Sequence, residues 1–342
     1  VNLDNFADPF FLGETKEELR RIRQDFHIHP EIGLITPRTS RIIADLLRKY
    51  GVDEVHEGIG GDGVVGVIYG RLPGEASVGL RADIDALPLK ELSDHDHVSQ
   101  VEGAMHACGH DGHMTILLGA MTLLAESKNF NGTVRAIFQP AEEPGKGDKA
   151  MIDDGLFEKY PVDEIYGLHN IPFLPEGEIH TRPGGIMASE DNFTIKIHGR
   201  GGHASSPHVG IDPLIPAAQI ILGLQTIVSR NANPLEPAVV SVTELHTDGA
   251  HNAIPSNIVM TGDTRSTSPE MQALIEIRMR TIVEHACAMA GAASEFSYTH
   301  EFAPTVNWPE CAAHAAAAAR KAVGADTVSY THLRAHETDQ YL

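Results

Sequence analysis

Residues 105–113 read M-H-A-C-G-H-D-G-H, which crowds His106, Cys108, His110, Asp111 and His113 into nine positions. Thiolate, imidazole and carboxylate are the side chains that bind borderline divalent metals. Residues 139–143, Q-P-A-E-E, set Glu142 beside Glu143 after an apolar run, and residues 167–170, G-L-H-N, bring His169 in after a second one. A metal hydrolase needs ligands that hold an ion yet leave a position for water, together with a carboxylate that takes a proton from that water. Successive side chains of an extended segment point oppositely, so Glu142 and Glu143 divide those jobs: one ligates and the other faces the substrate. Together the three stretches indicate metal-activated hydrolysis.

Other readings of the same residues stand beside this one. Cys108, with His106 and His110 close by, also fits a thiol nucleophile. Catalytic Cys–His pairs, however, usually come from distant parts of a chain, whereas C-x-H near glutamates and further histidines suits a metal-bound thiolate. A closed structural zinc site built from Cys108, His110, His169 and a carboxylate is the blander alternative, against which the adjacent glutamates and surplus histidines count. Residues 80–88, L-R-A-D-I-D-A-L-P, place Asp83 and Asp85 two apart after a strand, where they serve equally well to orient a ligating imidazole or to cap a loop. Residues 199–208, G-R-G-G-H-A-S-S-P-H, form a tight glycine-rich turn carrying His203 and His208. His246, His285, His300 and His314 read as surface or structural residues.

The elements that must position these groups alternate. Apolar positions Leu19, Ile22 and Phe26 recur at helical spacing over 14–28, and Thr36-Pro37 offers a cap and a first-turn proline for a helix over 42–50. Strand-like runs at 64–69, 78–80, 134–138 and 164–168 are separated by helical patterns at 113–126 and 149–159. Alternation of this kind means an α/β sheet, with its chemistry after the C-terminal ends of the strands. A turn at 181–185 breaks the order. Strand 193–198, helix 213–230, strands 239–245 and 257–264 and helix 269–290 then form an α+β insert, after which 295–301 and 311–323 return a strand and an Ala-rich helix to the first domain.

The bulk properties agree with an enzyme of more than one domain. The chain has 342 residues, 42% of them hydrophobic, and a formal net charge of −21, which disfavours nucleic acid as a partner. No stretch of the sequence has the length and hydropathy of a membrane span, and 1–13 does not resemble a signal peptide, so a cytoplasmic location is expected. Three scattered cysteines, Cys108, Cys287 and Cys311, make no disulfide framework.

Taken as an ordered set, R-A-D-I-D-A-L-P, M-H-A-C-G-H-D-G-H, Q-P-A-E-E, G-L-H-N and G-G-H-A-S-S-P-H resemble the hippurate hydrolase, N-acyl-amino-acid amidohydrolase and auxin-conjugate hydrolase branch of the di-metal aminoacylase and carboxypeptidase family. The likeness runs from about Leu19 to about Val328. It implies an α/β, two-domain fold: a mixed-sheet catalytic domain over 1–183 and 296–328 holding two divalent ions, and a smaller α+β lid and dimerisation domain over 184–295. It also implies roles. Cys108 bridges both metals, His110, Glu143 and His169 are further ligands, Glu142 is the general base and Asp85 supports the metal site. Asp83 stands where more distant relatives carry a ligating histidine. His203 matches a histidine that stabilises the oxyanion in the neighbouring subunit's site, and Asn252 and Arg265 match positions that hold the substrate carboxylate. The implied reaction is hydrolysis of an N-acyl amino acid by a homodimer or higher homo-oligomer, Glu142 taking a proton from the attacking water and passing it to the leaving amine. Zn²⁺ or Mn²⁺ is expected, with Co²⁺ or Ni²⁺ admissible. A dipeptidase or an N-acetyl-diaminopimelate deacetylase is the nearest rival.

One departure from the pattern stands out. The family's C-terminal acidic motif and last metal-ligating histidine have no match, and residues 329–342 resemble nothing expected there. Residues 329–342 are therefore expected to be foreign sequence and the catalytic domain to be cut short, which leaves an impaired metal-binding remnant as a further alternative.

Overall fold

The computed structural model describes residues 14–172 and 174–329. Among the described residues two compact units emerge, one formed by 14–178 with 318–327 and the other by 179–317 with 328–329. The fold is mixed α/β, and among the described residues no helix is long and apolar enough to cross a membrane.

The first unit opens with helices α1 (Glu14–Ile28) and α2 (Pro37–Lys49), then strands β1 (Glu54–Ile59), β2 (Gly63–Tyr69) and β3 (Leu72–Asp83). Helix α3 (His110–Ser127), strand β4 (Asn131–Gln139), short helices α4 (Gly147–Asp153) and α5 (Leu156–Lys159) and strand β5 (Glu164–Gly167) follow. The strands form one sheet in the order β1-β2-β4-β3-β5, in which β3 runs parallel to β4 and β5 while β2 pairs antiparallel with both β1 and β4. The run Val64, Val65, Val67, Ile68 is buried on both faces, because Val64 and Ile68 join Phe26, Leu47, Met114 and Leu118 while Val65 and Val67 join Met151 and Leu156. Thr36 does precede α2, yet its side chain makes no cap bond. The Glu31 carboxylate takes that place, accepting the backbone N–H groups of Arg38 (3.2 Å) and Thr39 (2.8 Å).

The second unit contains β6 (Ile179–His180), β7 (Gly184–Met187), β8 (Glu190–His198), β9 (Gly202–His203), α6 (Leu214–Thr226), β10 (Ala238–Thr247), β11 (Ala253–Ile254), β12 (Asn257–Ser266) and α7 (Pro269–Ala290). It continues with β13 (Ala293–Phe302), β14 (Thr305–Asn307), most of α8 (Pro309–Val323) and β15 (Val328–Ser329). Its main sheet is antiparallel in the order β10-β12-β8-β13. Alternate residues Phe193, Ile195 and Ile197 of β8 are buried against Ile220 and Leu224 of α6 and Ile275, Met279 and Val283 of α7. Helix α7 is bounded as its sequence requires: Ser268 accepts the Met271 N–H, Pro269 opens the first turn and Gly291 closes it at φ +71°.

Strand β13 corrects one expectation. Residues 295–301 were expected to rejoin the catalytic domain, but Ala293 through His300 pair residue by residue with β8, and Phe296 and Tyr298 pack on the second unit's core. Of the segment 329–342, Ser329 pairs with His180 in β15 and residues 330–342 lie outside the described residues.

Candidate metal centre

Three neighbouring parallel strands deliver the chemistry. Asp83 ends β3 with Asp85 just beyond it, Glu142 and Glu143 follow the end of β4, and His169 follows the end of β5. Loops leaving the same end of adjacent parallel strands converge, as ligand sites of α/β sheets generally do. Cys108 and His110 reach the same place from the start of α3, with Gly109 between them at φ +88°. A Cβ at Gly109 would sit 2.2 Å from Asn170 Oδ1, so both the backbone angle and the space require glycine there.

Donor atoms of Cys108, His110 and Glu143 lie within 4.8 Å of one another, and those of Asp83, His110, His113 and His169 form an overlapping group. Cys108 Sγ is 3.4 Å from His169 Nε2, and His110 Nε2 is 3.7 Å from Glu143 Oε1 and 3.8 Å from Glu142 Oε2. His110 donates through Nδ1 to the Asp85 carbonyl at 2.8 Å, which turns Nε2 toward the glutamates. Buried polar atoms are almost always hydrogen-bonded, yet His110 Nε2 and Glu143 Oε1 have no partner. Two partnerless acceptors facing each other beside a thiol are what a bound cation would satisfy, so the donor set fits a divalent metal.

The surrounding groups hold this arrangement. Asp85 is fully buried, and its two carboxylate oxygens accept the backbone N–H groups of Glu142 (2.9 Å) and Glu143 (3.2 Å). The turn it grips includes Ala141, fully buried at φ +51°, a left-handed conformation unfavourable for a residue with a Cβ. Asp83 accepts from His113 Nδ1 at 2.7 Å and pairs with Arg81 at 2.7 Å, while His113 Nε2 accepts the Asn170 N–H at 3.1 Å. His113, absent from the ligand set that the sequence suggests, is therefore held between Asp83 and Asn170.

Electrostatics follow from burial in a crowd of like groups. Desolvation raises Glu142 and lifts Glu143 to about 7, with Glu142 adding to the latter and His110 opposing. Burial raises the Cys108 thiol and presses His169 down to about 4. Burial also works against a charged His110, but Asp85, Cys108 and Asp83 outweigh it and hold that imidazole well above its ordinary value.

The residues expected in the second domain are placed differently. His203 and Asn252 are neighbours on the surface: Ala204 N–H donates to the Asn252 carbonyl at 3.0 Å, and both residues line a pocket of about 360 Å³ with Asp248 and Ser256. Arg265 lies near the other end of β12, eight residues beyond Asn257, or about 26 Å along an extended strand. Its guanidinium already pairs with Asp263 and Glu190, each at 3.0 Å. The second unit thus brings His203 and Asn252 together and does not bring Arg265 to them. The sequence reading also passed over His27, Glu91 and His95, which meet in the first unit. The run D-H-D-H at 94–97 was the available signal.

A model of the peptidase family M20/M25/M40 matches residues 79–338. Among curated proteins, thermostable carboxypeptidase 2 of Saccharolobus solfataricus is 42% identical over 302 residues, covering 87% of this chain and 76% of that protein. Hippurate hydrolase of Campylobacter jejuni is 43% identical over 269 residues, covering 79% and 70%. The Bacillus subtilis YXEP protein, a dinuclear metal binding peptidase from the M20 family, superposes with a TM-score of 0.78 at 33% identity, covering 93% of this chain and 82% of that one. This chain belongs to the peptidase family M20/M25/M40.

Proposed function

We propose that this chain hydrolyses the amide bond of N-acyl amino acids, of the hippurate or N-acetyl-amino-acid kind, releasing a carboxylic acid and a free amino acid. The observation that carries the reading is the pair of partnerless buried acceptors, His110 Nε2 and Glu143 Oε1, with Cys108 beside them and Glu142 adjoining. Cys108, His110, Glu143 and His169 would hold two divalent ions, of which zinc and manganese suit the mixed donors best. Such ions, when bound, polarise the scissile carbonyl and make water acidic enough to lose a proton near neutral pH.

Glu142 is the general base: its backbone is fixed by Asp85, its carboxylate is 3.8 Å from His110 Nε2, and it moves the water's proton to the leaving amine. His203 donates to the developing oxyanion, and Asn252 and Arg265 bind the carboxylate of the amino-acid portion. Because His203 with Asn252 and Arg265 sit near opposite ends of β12, one copy of the second unit does not gather all three around one small substrate. A homodimer in which His203 and Asn252 serve the partner's metal centre, while Arg265 serves another, accommodates that spacing.

The experiment is a substrate series of benzoylglycine, acetylated amino acids and dipeptides, assayed on metal-loaded chain, chelator-treated chain and Glu142→Gln. The reading expects turnover of acylated amino acids that needs metal and falls about 10²–10⁴-fold in Glu142→Gln. Preference for dipeptides would favour the dipeptidase reading instead. Turnover unaffected by Glu142→Gln would overturn the assignment of the base.

A further inference from the structure

Away from the residues around Cys108, a second knot of histidines and carboxylates lies between α1, the segment 88–99 and the first turn of α3. Glu91, whose side chain is 4% exposed, is its centre. Two hydrogen bonds and a further nitrogen meet at one oxygen, Glu91 Oε1: Ser93 Oγ bonds at 2.8 Å and His27 Nε2 at 3.2 Å, and His95 Nε2 lies 3.1 Å away. The other oxygen accepts the Ser99 N–H at 2.6 Å. A carboxylate oxygen offers about two lone pairs, so with Ser93 and His27 bonded there Oε1 has no place left for a proton from His95.

A cation in place of the His27 proton would join both imidazoles to that carboxylate. Ligand atoms bound tetrahedrally at about 2.0–2.1 Å stand roughly 3.3 Å apart. The two nitrogen–oxygen separations here are 3.2 and 3.1 Å, and the donor atoms of His27, Glu91 and His95 all lie within 4.8 Å of one another. His27 Nδ1 also meets Asp111 Oδ2 at 3.0 Å, and a carboxylate behind an imidazole is the usual support of a metal-bound histidine. His97 stacks on His95 with ring centres 3.9 Å apart, which fixes the orientation of the His95 ring beside Glu91.

We propose that His27, Glu91 and His95 form a further divalent-cation site of zinc type, sharing no residue with the Cys108 cluster. Held by two imidazoles and a carboxylate, the ion fastens the segment 88–99 to α1 and, through Asp111, to the helix turn that carries His110. Nothing in the proposed hydrolysis requires it, so its role is to fix structure.

The test counts ions. Chelator-treated full-length chain is saturated with zinc, freed of excess and analysed for metal per chain, alongside His95→Ala and His95→Asn. The expected result is one equivalent fewer in both variants, with activity of the metal-loaded enzyme retained. Equal stoichiometry in folded variants and parent overturns the site. A second readout needs no variant: zinc should protect His95 of the parent chain from diethyl pyrocarbonate, read by peptide mass spectrometry. Labelling of His95 that is unchanged by zinc overturns the site equally.

Discussion

The two units treat their functional residues in opposite ways. In the first, parallel β3, β4 and β5 release Asp83, Asp85, Glu142, Glu143 and His169 from one edge, and α3 adds His110, so the groups are buried or half-buried and already within a few ångströms. In the second, Arg265 lies near the end of β12, while His203 on β9 and Asn252 just before β11 lie toward its start, and these two are exposed. A parallel edge collects side chains by itself. An antiparallel strand carries them to both ends, so it can complete a site only by meeting something else. On the proposed function, that difference separates donors already gathered for a metal from recognition groups that would complete a site only in a dimer.

The sharpest way to break this comparison is to ask whether His203 acts on its own copy's metal centre. His203→Ala removes an oxyanion donor and is expected to lower kcat about 10²–10³-fold. Mixed after co-refolding with Glu142→Gln, it should regain about one quarter of parental activity, because half the dimers are mixed and each mixed dimer has one intact composite site. A mixture no more active than the average of the two variants would mean that His203 serves its own chain. The next largest effect concerns Asp85. Asp85→Asn keeps the shape but sets an amide group against a backbone N–H, leaving the Ala141 turn without one of its two acceptors. We expect kcat and metal affinity to drop about 10–100-fold, with a smaller change in KM. Unaltered metal affinity in Asp85→Asn would show that the centre does not depend on this grip.

Legibility in the sequence followed how local each feature is. The runs 64–69 and 134–138 and the helix 269–290 carry their own periodicity or caps, and they form β2, β4 and α7 with bounds close to expectation. The helix expected over 149–159 breaks into α4 and α5 because Gly155 adopts φ +82°. Strand β1 escaped notice because Glu54, Glu57 and Gly58 leave it mostly exposed, without a strong apolar alternation. The partner of β13 is set by pairing with β8 across about a hundred residues, which no local pattern records. The motif residues Cys108, His110, Glu142, Glu143 and His169 were legible as chemistry, since their types are dense and ordered. Their mutual distances were not, and neither was the meeting of His27 with Glu91, 64 residues later.

The smallest effect, and the one that probes the prebuilt centre without mutation, is the pH dependence of stability in the metal-free chain. Glu143 titrates near 7 when folded against an ordinary value of 4.5, and His110 is held well above 6.5. Above pH 7 the folded chain therefore holds protons on Glu143 and His110 to a greater degree than the unfolded chain does, so their contribution to stability falls as pH rises through the folded values. His106 and His169, pressed down to about 4 by burial, are neutral there when folded and still slightly protonated at pH 7 when unfolded, so they oppose the trend weakly. The part lost from Glu143 is about 0.4 kcal/mol from pH 7 to 8.5, His110 adds to it in the same direction, and Tm follows on the order of 2–4 °C per kcal/mol. Cations bound by an ionised Glu143 and a neutral His110 remove both contributions, so the metal-loaded chain should show a flatter profile over the same range. Thermal melts of chelator-treated and zinc-loaded protein from pH 7 to 8.5 make the comparison directly, and parallel slopes would mean that Glu143 and His110 do not exchange their protons for metal.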